Sequence, residues 1–259
     1  MSLIIGGLQK TTLADYPGKV VCTIFTVGCN FVCPFCHNKD LLSQKAFEKS
    51  DYQRVSEKEF FAFLDSRKKI LDGVCITGGE PTLQKELVSF CQKIKNKKLL
   101  VKLDTNGSRP KVIADLITKN LVDFIAMDIK SDFSNYFETI GRQFPLEKIR
   151  ETMILLVNWV KNNPEKKYEF RTTLVPTLHN EKIVVTMAQE LKEFFEKEKV
   201  DVSRRAWILQ HFRSQNCLNK KFMKLPLFPL KKSKDFSKLP KEFFLRLSGA
   251  VAINLVYYN

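Results

Sequence analysis

Short apolar runs alternate with amphipathic patterns along most of this 259-residue chain. The runs are continuous and rich in β-branched residues, as buried strands are, and they occupy residues 20–27, 73–77, 99–103, 122–127, 168–175 and 207–210. The amphipathic patterns have helical spacing, and they occupy residues 57–71, 86–94, 112–117, 149–160 and 181–195. Strands that alternate with helices form parallel βαβ units with right-handed crossovers. The sequence therefore predicts an α/β fold, a partial (β/α)6 TIM-like barrel of parallel strands.

The alternation stops near Arg213, where the chain becomes rich in Lys, Phe and Pro. We predict a barrel domain over residues 1–213 and a basic C-terminal extension over residues 214–259 that packs on or near the core. Within the extension, the pattern over residues 241–255 predicts a helix. Ligand sites in parallel α/β folds lie at the carboxyl ends of the strands. Polar residues at those ends are therefore the candidates for function.

The chain is strongly basic, with 43 Lys and Arg residues against 28 Asp and Glu residues and a formal net charge of +15. Solvated Lys-rich helix faces, an acidic protein partner or nucleic acid would each account for this excess. Nucleic acid is the less favoured of these partners, because the basic residues form no single stripe interleaved with aromatic residues. No apolar run is long enough to span a bilayer, and the first residues show no secretory signal pattern. We expect a cytoplasmic protein without a membrane partner.

Three of the seven cysteines lie close together directly after the first predicted strand. They are Cys29, Cys33 and Cys36, separated by three and then by two residues. Thiolates this close, on a segment that Pro34 keeps from becoming helical, suit an iron-sulfur cluster, and three ligands leave one iron open to a small molecule. A zinc site completed by His37 and a turn with buried thiols are the alternatives. The other four cysteines are isolated, as small buried residues often are.

Further polar residues follow or end the later strands: Gly78, Gly79, Glu80, Asp104, Asp128, Lys130, Arg171 and Gln210. The glycine pair allows a close backbone approach, and the carboxylate after it can receive an ammonium group. Asp104 and Asp128 are expected at the same mouth, although a helix cap or a loop hydrogen bond would also explain either residue. Arg171 lies inside an apolar run and needs an anionic partner or an exit to solvent.

The cysteine spacing, with an aromatic residue before the third cysteine, resembles that of the radical S-adenosylmethionine enzymes. Six segments occur in the order found in the activating enzymes of glycyl radical proteins, namely DYPGKVVCTIFTVGCNFVCPFCHN, ITGGEP, LDTNGS, DFIAMDIK, YEFRTT and LQHFR. Within this branch the sequence is most similar to the activators of anaerobic ribonucleoside-triphosphate reductase. The resemblance extends from about Gly6 to Arg213.

The resemblance implies a four-iron four-sulfur cluster and S-adenosylmethionine as cofactors, and it raises a monovalent cation as a third ligand. It assigns the cluster to Cys29, Cys33 and Cys36, the adenine side to Phe35, and the ordering of the loop to Asn38. By the same resemblance, the methionine amino group is expected to contact Gly78, Gly79 and Glu80, and the cofactor carboxylate is expected to contact Arg171. The cofactor is also expected to contact Asp128 and Lys130, with Gln210 as a further positioning group. The cation is expected to bind to Asp104, Thr105 and Asp128.

The function implied by the resemblance is reductive cleavage of S-adenosylmethionine, followed by use of the 5'-deoxyadenosyl radical to generate a glycyl radical on anaerobic ribonucleotide reductase. No general acid or base is expected, because the step is hydrogen-atom abstraction. A flavodoxin or ferredoxin would donate the electron, and the acidity of such donors suits a basic surface. The alternatives are activation of another glycyl radical protein of the pyruvate formate-lyase type, radical modification of RNA or a small substrate, and a non-catalytic zinc or iron-sulfur module.

Overall fold

A computed structural model describes residues 2–201 and 206–226 and the strand Phe244–Ser248. Among the described helices, none combines the length and apolar character needed to cross a membrane. More than half of the predicted extension, residues 214–259, lies outside the described residues. The packing of that extension on the core therefore stays a prediction.

The sheet confirms the predicted α/β fold. Its strands are β1 (Ile5–Thr12), β2 (Val21–Thr26), β3 (Gly73–Gly78), β4 (Leu100–Thr105), β5 (Phe124–Asp128), β6 (Lys167–Leu174), β7 (Ala206–His211) and β8 (Phe244–Ser248). They follow one another in the sheet in chain order. The first pair is antiparallel, and β2–β3, β3–β4, β6–β7 and β7–β8 are parallel. All six strands predicted from the apolar runs are present, as β2 to β7.

Helices occupy the predicted positions between the strands. The α-helices described are α1 (Gln44–Glu48), α2 (Glu57–Arg67), α3 (Leu87–Asn96), α4 (Pro110–Thr118), α5 (Tyr136–Ile140), α6 (Glu147–Asn162) and α7 (Glu181–Lys197). The short helices α1 and α5 were not predicted. Local chemistry sets several of their starts. Ser56 and Glu59 form a capping box before α2, Pro110 opens α4, and the Asn180 side chain accepts from the amide of Ile183 at the start of α7.

The chain divides into two compact units. The first unit comprises Met1–Asn30, Asn38–Ala126 and Glu147–Lys167. Within it, α2 packs on α3 through the stacked rings of Phe60 and Phe90, whose centroids are 5.3 Å apart. The Thr152 hydroxyl of α6 donates a hydrogen bond to the carbonyl oxygen of Gly107, just after β4, at 2.7 Å. Apolar helix faces and a buried polar contact thus fix the loop that follows β4.

The second unit comprises Phe31–His37, Met127–Leu146 and Tyr168–Asn259. Within it, α7 packs on β6 through the stacked rings of Phe195 and Phe170, with centroids 5.8 Å apart. The indole nitrogen of Trp207 on β7 donates to the Thr172 hydroxyl on β6 at 2.9 Å. One face of β6 and β7 is therefore fixed by packing, which leaves the other face for polar residues.

Two strands were not expected from the sequence. Strand β1 was missed because its sequence, IGGLQKTT, has two glycines and several polar residues; its pairing with β2 also contains register shifts. The predicted helix over residues 241–255 is wrong where the chain is described, because Phe244–Ser248 forms β8. The free edge of β7 offers hydrogen bonds that a local pattern cannot reveal, and β8 pairs with it in parallel. The rest of that predicted helix lies outside the described residues.

Candidate functional site

The cysteine loop begins in the first unit, where the chain leaves β2. Gly28 has a φ of +103°, a left-handed conformation that glycine adopts readily. The amides of Gly28 and Cys29 donate to the carbonyl oxygens of Leu41 and Leu42 at 2.7 and 3.0 Å. A Cβ atom on Gly79 would lie 2.2 Å from the carbonyl oxygen of Gly28. The absence of a side chain at Gly79 thus allows the segment that follows β3 to approach the backbone of the cysteine loop closely.

Asn38 and Gly78 form a second contact in the first unit. The Asn38 side chain donates from Nδ2 to the carbonyl oxygen of Gly78 at 2.9 Å. Gly78 has a φ of +113°, and a Cβ atom there would lie 2.4 Å from the backbone nitrogen of Thr26. Asn38 therefore links its own position, two residues after the third cysteine, to the end of β3, and its role in ordering the loop stays a prediction.

The Glu80 carboxylate is the most deeply buried acidic group of the first unit, with 1% of the residue exposed. Oε1 accepts from the backbone amide of Thr82 at 3.1 Å, from the Thr82 hydroxyl and from the Thr105 hydroxyl at 2.8 Å. Oε2 accepts from the backbone amide of Asn106 at 2.7 Å. The backbone amide of Glu80 donates to the carbonyl oxygen of Gly28 at 2.7 Å. Burial raises the pKa of Glu80, although these hydrogen bonds favour the charged form.

Asn106 connects Glu80 to the first cysteine. Its Nδ2 atom donates to the Asn30 side chain at 2.9 Å and lies 4.0 Å from the Cys29 sulfur. Its Oδ1 atom accepts from the backbone amide of Ser108 at 3.0 Å. Asn106 therefore presents an N–H group to Cys29 from a position held by three further hydrogen bonds.

The second and third cysteines lie in the second unit. The amide of Cys36 donates to the carbonyl oxygen of Cys33 at 3.0 Å, which closes a tight turn. Burial raises the pKa of the Cys33 thiol to about 11, and the neighbouring Lys130 opposes this shift. The Phe35 ring between the two cysteines is buried, and the Lys130 ammonium lies 5.9 Å from its centroid.

Asp128, Lys130 and Arg171 form one ionic cluster in the second unit. Asp128 receives Lys130 Nζ at 2.8 Å on Oδ2 and Arg171 Nε at 3.1 Å on Oδ1. Burial alone would raise the pKa of Asp128, but the two cations outweigh it and the pKa lies below its usual range. Arg171 thus finds an anionic partner within the chain. His179 fixes the backbone here, since its Nε2 lies 2.9 Å from the carbonyl oxygen of Lys130 and its Nδ1 accepts from the Val175 amide at 3.0 Å.

Asp104 and Thr105 already have partners in the first unit. The Asp104 carboxylate pairs with the ammonium group of Lys102, a residue with only 2% of its surface exposed. The Lys102 ammonium also lies 5.3 Å from the centroid of the Phe124 ring. The Thr105 hydroxyl donates to Glu80. A lysine of this chain therefore supplies a positive charge beside Asp104, where a cation was expected.

Gln210 shares a strand face with Arg171. In the register between β6 and β7, Arg171 is opposite Ile208 and Thr173 is opposite Gln210. Residues two apart on a strand point to the same side, so Gln210 and Arg171 lie on one face of this part of the sheet. His211 points to the other face, and its Nδ1 atom is buried without a hydrogen-bond partner among the described residues.

Sequence reasoning missed four residues of this region, namely Thr82, Lys102, Asn106 and His179. Asn106 had one available signal, because it belongs to the TNG turn after β4. Thr82 and Lys102 contact acidic residues only two positions away, Glu80 and Asp104, a spacing that a local pattern could have shown. His179 instead reaches the backbone of Lys130 across 49 positions. No local pattern marks such contacts.

The donor set fits an iron-sulfur cluster. The seven cysteines form no disulfide bonds, and Cys29, Cys33 and Cys36 provide three thiols on one short segment, the soft ligands that such clusters use. Within residues 2–201 and 206–226, no three side chains of His, Cys, Asp or Glu are already grouped as a site for a single metal ion. His37 uses its Nε2 atom to contact the carbonyl oxygen of Arg213, which disfavours that atom as a zinc ligand.

Comparison with known proteins places this chain in a family. The model of the Radical SAM superfamily matches residues 23–188, more than half of the chain. A protein of Methanocaldococcus jannaschii with the provisional name glycyl-radical enzyme activating enzyme is 31% identical over 245 residues, 94% of this chain and 94% of its own length. A second protein of that organism with the same provisional name is 28% identical over 181 residues, 69% of this chain and 64% of its own.

Solved structures share the fold. The crystal structure of Streptococcus suis SuiB bound to S-adenosylmethionine has a TM-score of 0.53 at 15% identity, over 86% of this chain and 48% of SuiB. This chain therefore spans about half the length of SuiB, and the likeness concerns the fold alone.

Both the family model and the first relative cover the segments that carry the cysteines and Glu80. Proteins of this superfamily use a four-iron four-sulfur cluster and S-adenosylmethionine, which confirms the prediction of these two cofactors, while the monovalent cation stays a prediction. The chain belongs to the Radical SAM superfamily and is a radical S-adenosylmethionine enzyme.

Proposed function

We propose that this chain activates a glycyl radical protein, and that its target is anaerobic ribonucleoside-triphosphate reductase. When bound, the reduced cluster supplies the electron that cleaves S-adenosylmethionine to methionine and a 5'-deoxyadenosyl radical. The observation that carries the proposal is the Glu80 carboxylate, which is buried beside the start of the cysteine loop.

Glu80 has the properties of a binding group for the amino group of methionine. A buried carboxylate is costly unless a cation accompanies it, and burial raises the pKa of Glu80 accordingly. Within the part of the chain that the structure describes, no Lys or Arg side chain forms an ion pair with it. Its Oε2 atom accepts one hydrogen bond from the described residues, so a second acceptor position is available. An ammonium group at that position would supply the missing charge.

The ionic cluster in the second unit suits a carboxylate group, such as that of S-adenosylmethionine. Lys130 and Arg171 both contact Asp128, and two cationic side chains side by side suit the binding of a carboxylate. Gln210 lies on the same strand face as Arg171 and would provide a further polar contact. His179 holds the backbone of Lys130 and thereby orients the cluster.

The three cysteines would hold the cluster, and their surroundings serve that task. Asn106 directs an N–H group toward the Cys29 sulfur, and Lys130 favours the thiolate at Cys33. Hydrogen bonds and positive charge near cysteine ligands stabilise a reduced cluster. No side chain needs to act as a general acid or base, since the target glycine loses a hydrogen atom rather than a proton.

The glycyl radical target follows from similarity over nearly the whole chain to the M. jannaschii protein named as an activating enzyme. A partner of this type must present a backbone glycine to the cofactor, and an acidic flavodoxin or ferredoxin would deliver the electron. The basic composition, with a formal net charge of +15, favours association with an acidic donor.

The test is anaerobic reconstitution with iron and sulfide, reduction with dithionite, and chromatographic detection of 5'-deoxyadenosine. Wild type should form this product and Cys33→Ala should not. Cys91→Ala is the matched control, because Cys91 is a buried free cysteine of α3 outside the loop; it should keep the activity. Tightly bound zinc without cleavage would refute the enzyme function.

The target is then tested by adding candidate proteins to the reduced enzyme and recording electron paramagnetic resonance spectra. A glycyl radical on anaerobic ribonucleoside-triphosphate reductase is the expected result. A radical formed only on a pyruvate formate-lyase-type protein would refute the proposed target while keeping the activating function. Cleavage with no protein radical, together with modification of added RNA, would refute both.

A further inference from the structure

The segment that follows β7 binds the backbone of the cysteine loop within the second unit. We call residues 212–219 the strap. Three of its N–H groups donate to loop carbonyl oxygens: the Leu218 amide to Cys36 at 3.1 Å, the Asn219 amide to Pro34 at 2.9 Å, and Asn216 Nδ2 to His37 at 3.1 Å. The carbonyl groups on both sides of the third cysteine are therefore held by this one segment.

Two further contacts run from the His37 side chain of the loop to the strap. The His37 ring stacks on Phe212, with centroids 5.7 Å apart and planes inclined by 19°, and its Nε2 atom contacts the carbonyl oxygen of Arg213. Phe212 is fully buried, so this end of the strap is anchored in the core of the unit. The side chain next to the third cysteine is thus fixed in position and orientation.

The strap is also braced internally. Cys217 is 1% exposed, and its thiol lies 3.7 Å from the carbonyl oxygen of Arg213 and 3.9 Å from that of Gln215. Asn216 has a φ of +56°, a left-handed conformation that Asn and Asp tolerate better than other residues with a side chain. This backbone turn directs the Asn216 side chain to the loop.

We propose that the strap is a positioning element for the cluster ligands and that Asn216 is its positioning residue. The inference rests on the proposed binding of the cluster by the three cysteines. It assigns a role to a segment beyond residues 23–188, the part that the family model matches. Groups that hold the ligands of a metal site, without touching the metal, typically change its affinity by about 10- to 100-fold when they are lost.

Asn216→Asp is the informative variant. Aspartate keeps the shape and the tolerance for a left-handed backbone, but its carboxylate cannot donate to the His37 carbonyl oxygen and repels it. Asn219→Asp is the matched control, with the same change of charge three residues away. The Asn219 Oδ1 atom accepts a hydrogen bond from the Lys221 amide at 3.0 Å, and a carboxylate oxygen preserves that bond.

The first measurement is hydrogen exchange of the cluster-free protein, followed at the amides of Leu218 and Asn219. We expect exchange at both amides to be about tenfold faster in Asn216→Asp than in wild type, which corresponds to the loss of one ordinary hydrogen bond. Asn219→Asp should exchange like wild type. Equal exchange rates in the two variants would refute the proposal that Asn216 holds the strap on the cysteine loop, whether or not the protein binds iron.

The second measurement is iron release from the reconstituted protein to a chelator, with spectra of the reduced cluster before and after S-adenosylmethionine is added. Asn216→Asp should lose iron about tenfold faster and show an altered spectrum, and Asn219→Asp should match wild type. Iron release and spectra that are unchanged in Asn216→Asp would refute the positioning role. Failure of wild type to hold iron would instead refute the proposed function, and the exchange experiment would still decide whether Asn216 holds the strap on the loop.

Asn216→Gly, which keeps the turn and lacks the donor, should reproduce the effect if the aspartate variant does not fold.

Discussion

Replacing Glu80 with glutamine tests the proposed contact with the amino group of S-adenosylmethionine. The variant keeps the size of the side chain and one acceptor oxygen but removes the negative charge. A hydrogen bond to a charged group contributes about 1.5–3 kcal/mol, and 1.4 kcal/mol corresponds to tenfold in affinity. We therefore expect Glu80→Gln to bind S-adenosylmethionine roughly 10- to 150-fold more weakly than wild type.

The variant also alters the network around the carboxylate. Oε1 has three donors and Oε2 has the Asn106 amide, so a new NH2 group must oppose at least one of them. The free energy of unfolding should fall by about 1–3 kcal/mol. Urea denaturation of the cluster-free protein measures this loss separately from binding.

Equilibrium binding to the reconstituted protein provides the assay, with 5'-deoxyadenosine as a matched ligand that lacks the methionine amino group. Glu80→Gln should weaken the binding of S-adenosylmethionine and leave that of 5'-deoxyadenosine within about twofold. Equal iron content in both proteins is the control for the cluster. If the variant binds S-adenosylmethionine as tightly as wild type, or loses affinity equally for both ligands, the reasoning about the ammonium contact fails.

Three further results are expected. Burial lowers the pKa of His179, so below a pH of about 6.5 the folded chain takes up fewer protons at this group than the unfolded chain. The free energy of unfolding should therefore fall as the pH is lowered from about 7.5 to 5.5. Urea titrations should show a weaker fall in His179→Gln. Asn106→Asp should make the reduction potential of the cluster more negative than Asn30→Asp does. Both variants add a negative charge, but only Asn106→Asp removes the N–H group that faces Cys29. Equal reduction potentials in the two variants would contradict that contact. Reduction by an acidic flavodoxin should slow sharply as salt is added, and a flat salt profile would exclude electrostatic steering.

The candidate site shows both the reach and the limit of local patterns. Cys29, Cys33 and Cys36 could be singled out because their chemistry depends on residue type and spacing, which are properties of one short segment. Glu80 could be singled out because it follows a glycine pair at a strand end. Their partners could not, since Asn106 reaches Glu80 across 26 positions of the chain and a backbone amide carries no signal in the residue type.

Arg171 and the third cysteine illustrate the same limit. The need of Arg171 for an anion was clear from the apolar run around it, but its partner Asp128 is 43 positions away. Likewise, the strap contacts the cysteine loop across about 180 positions, as from Asn216 to His37. Contacts of this kind depend on which strands become neighbours, and that is settled only when the sheet forms.

The sequence by itself determined the alternation of strands and helices, the class of the fold and the spacing of the three cysteines, because periodicity and spacing are local and the hydrophobic effect acts on apolar periodicity directly. Tertiary structure alone decided that Phe244–Ser248 is a strand and that residues 212–219 hold the cysteine loop by hydrogen bonds. Each of these outcomes depends on hydrogen bonds between segments that are distant in sequence, which form only when those segments pack together. Packing buries backbone polar groups, and a buried polar group without a hydrogen-bond partner is costly.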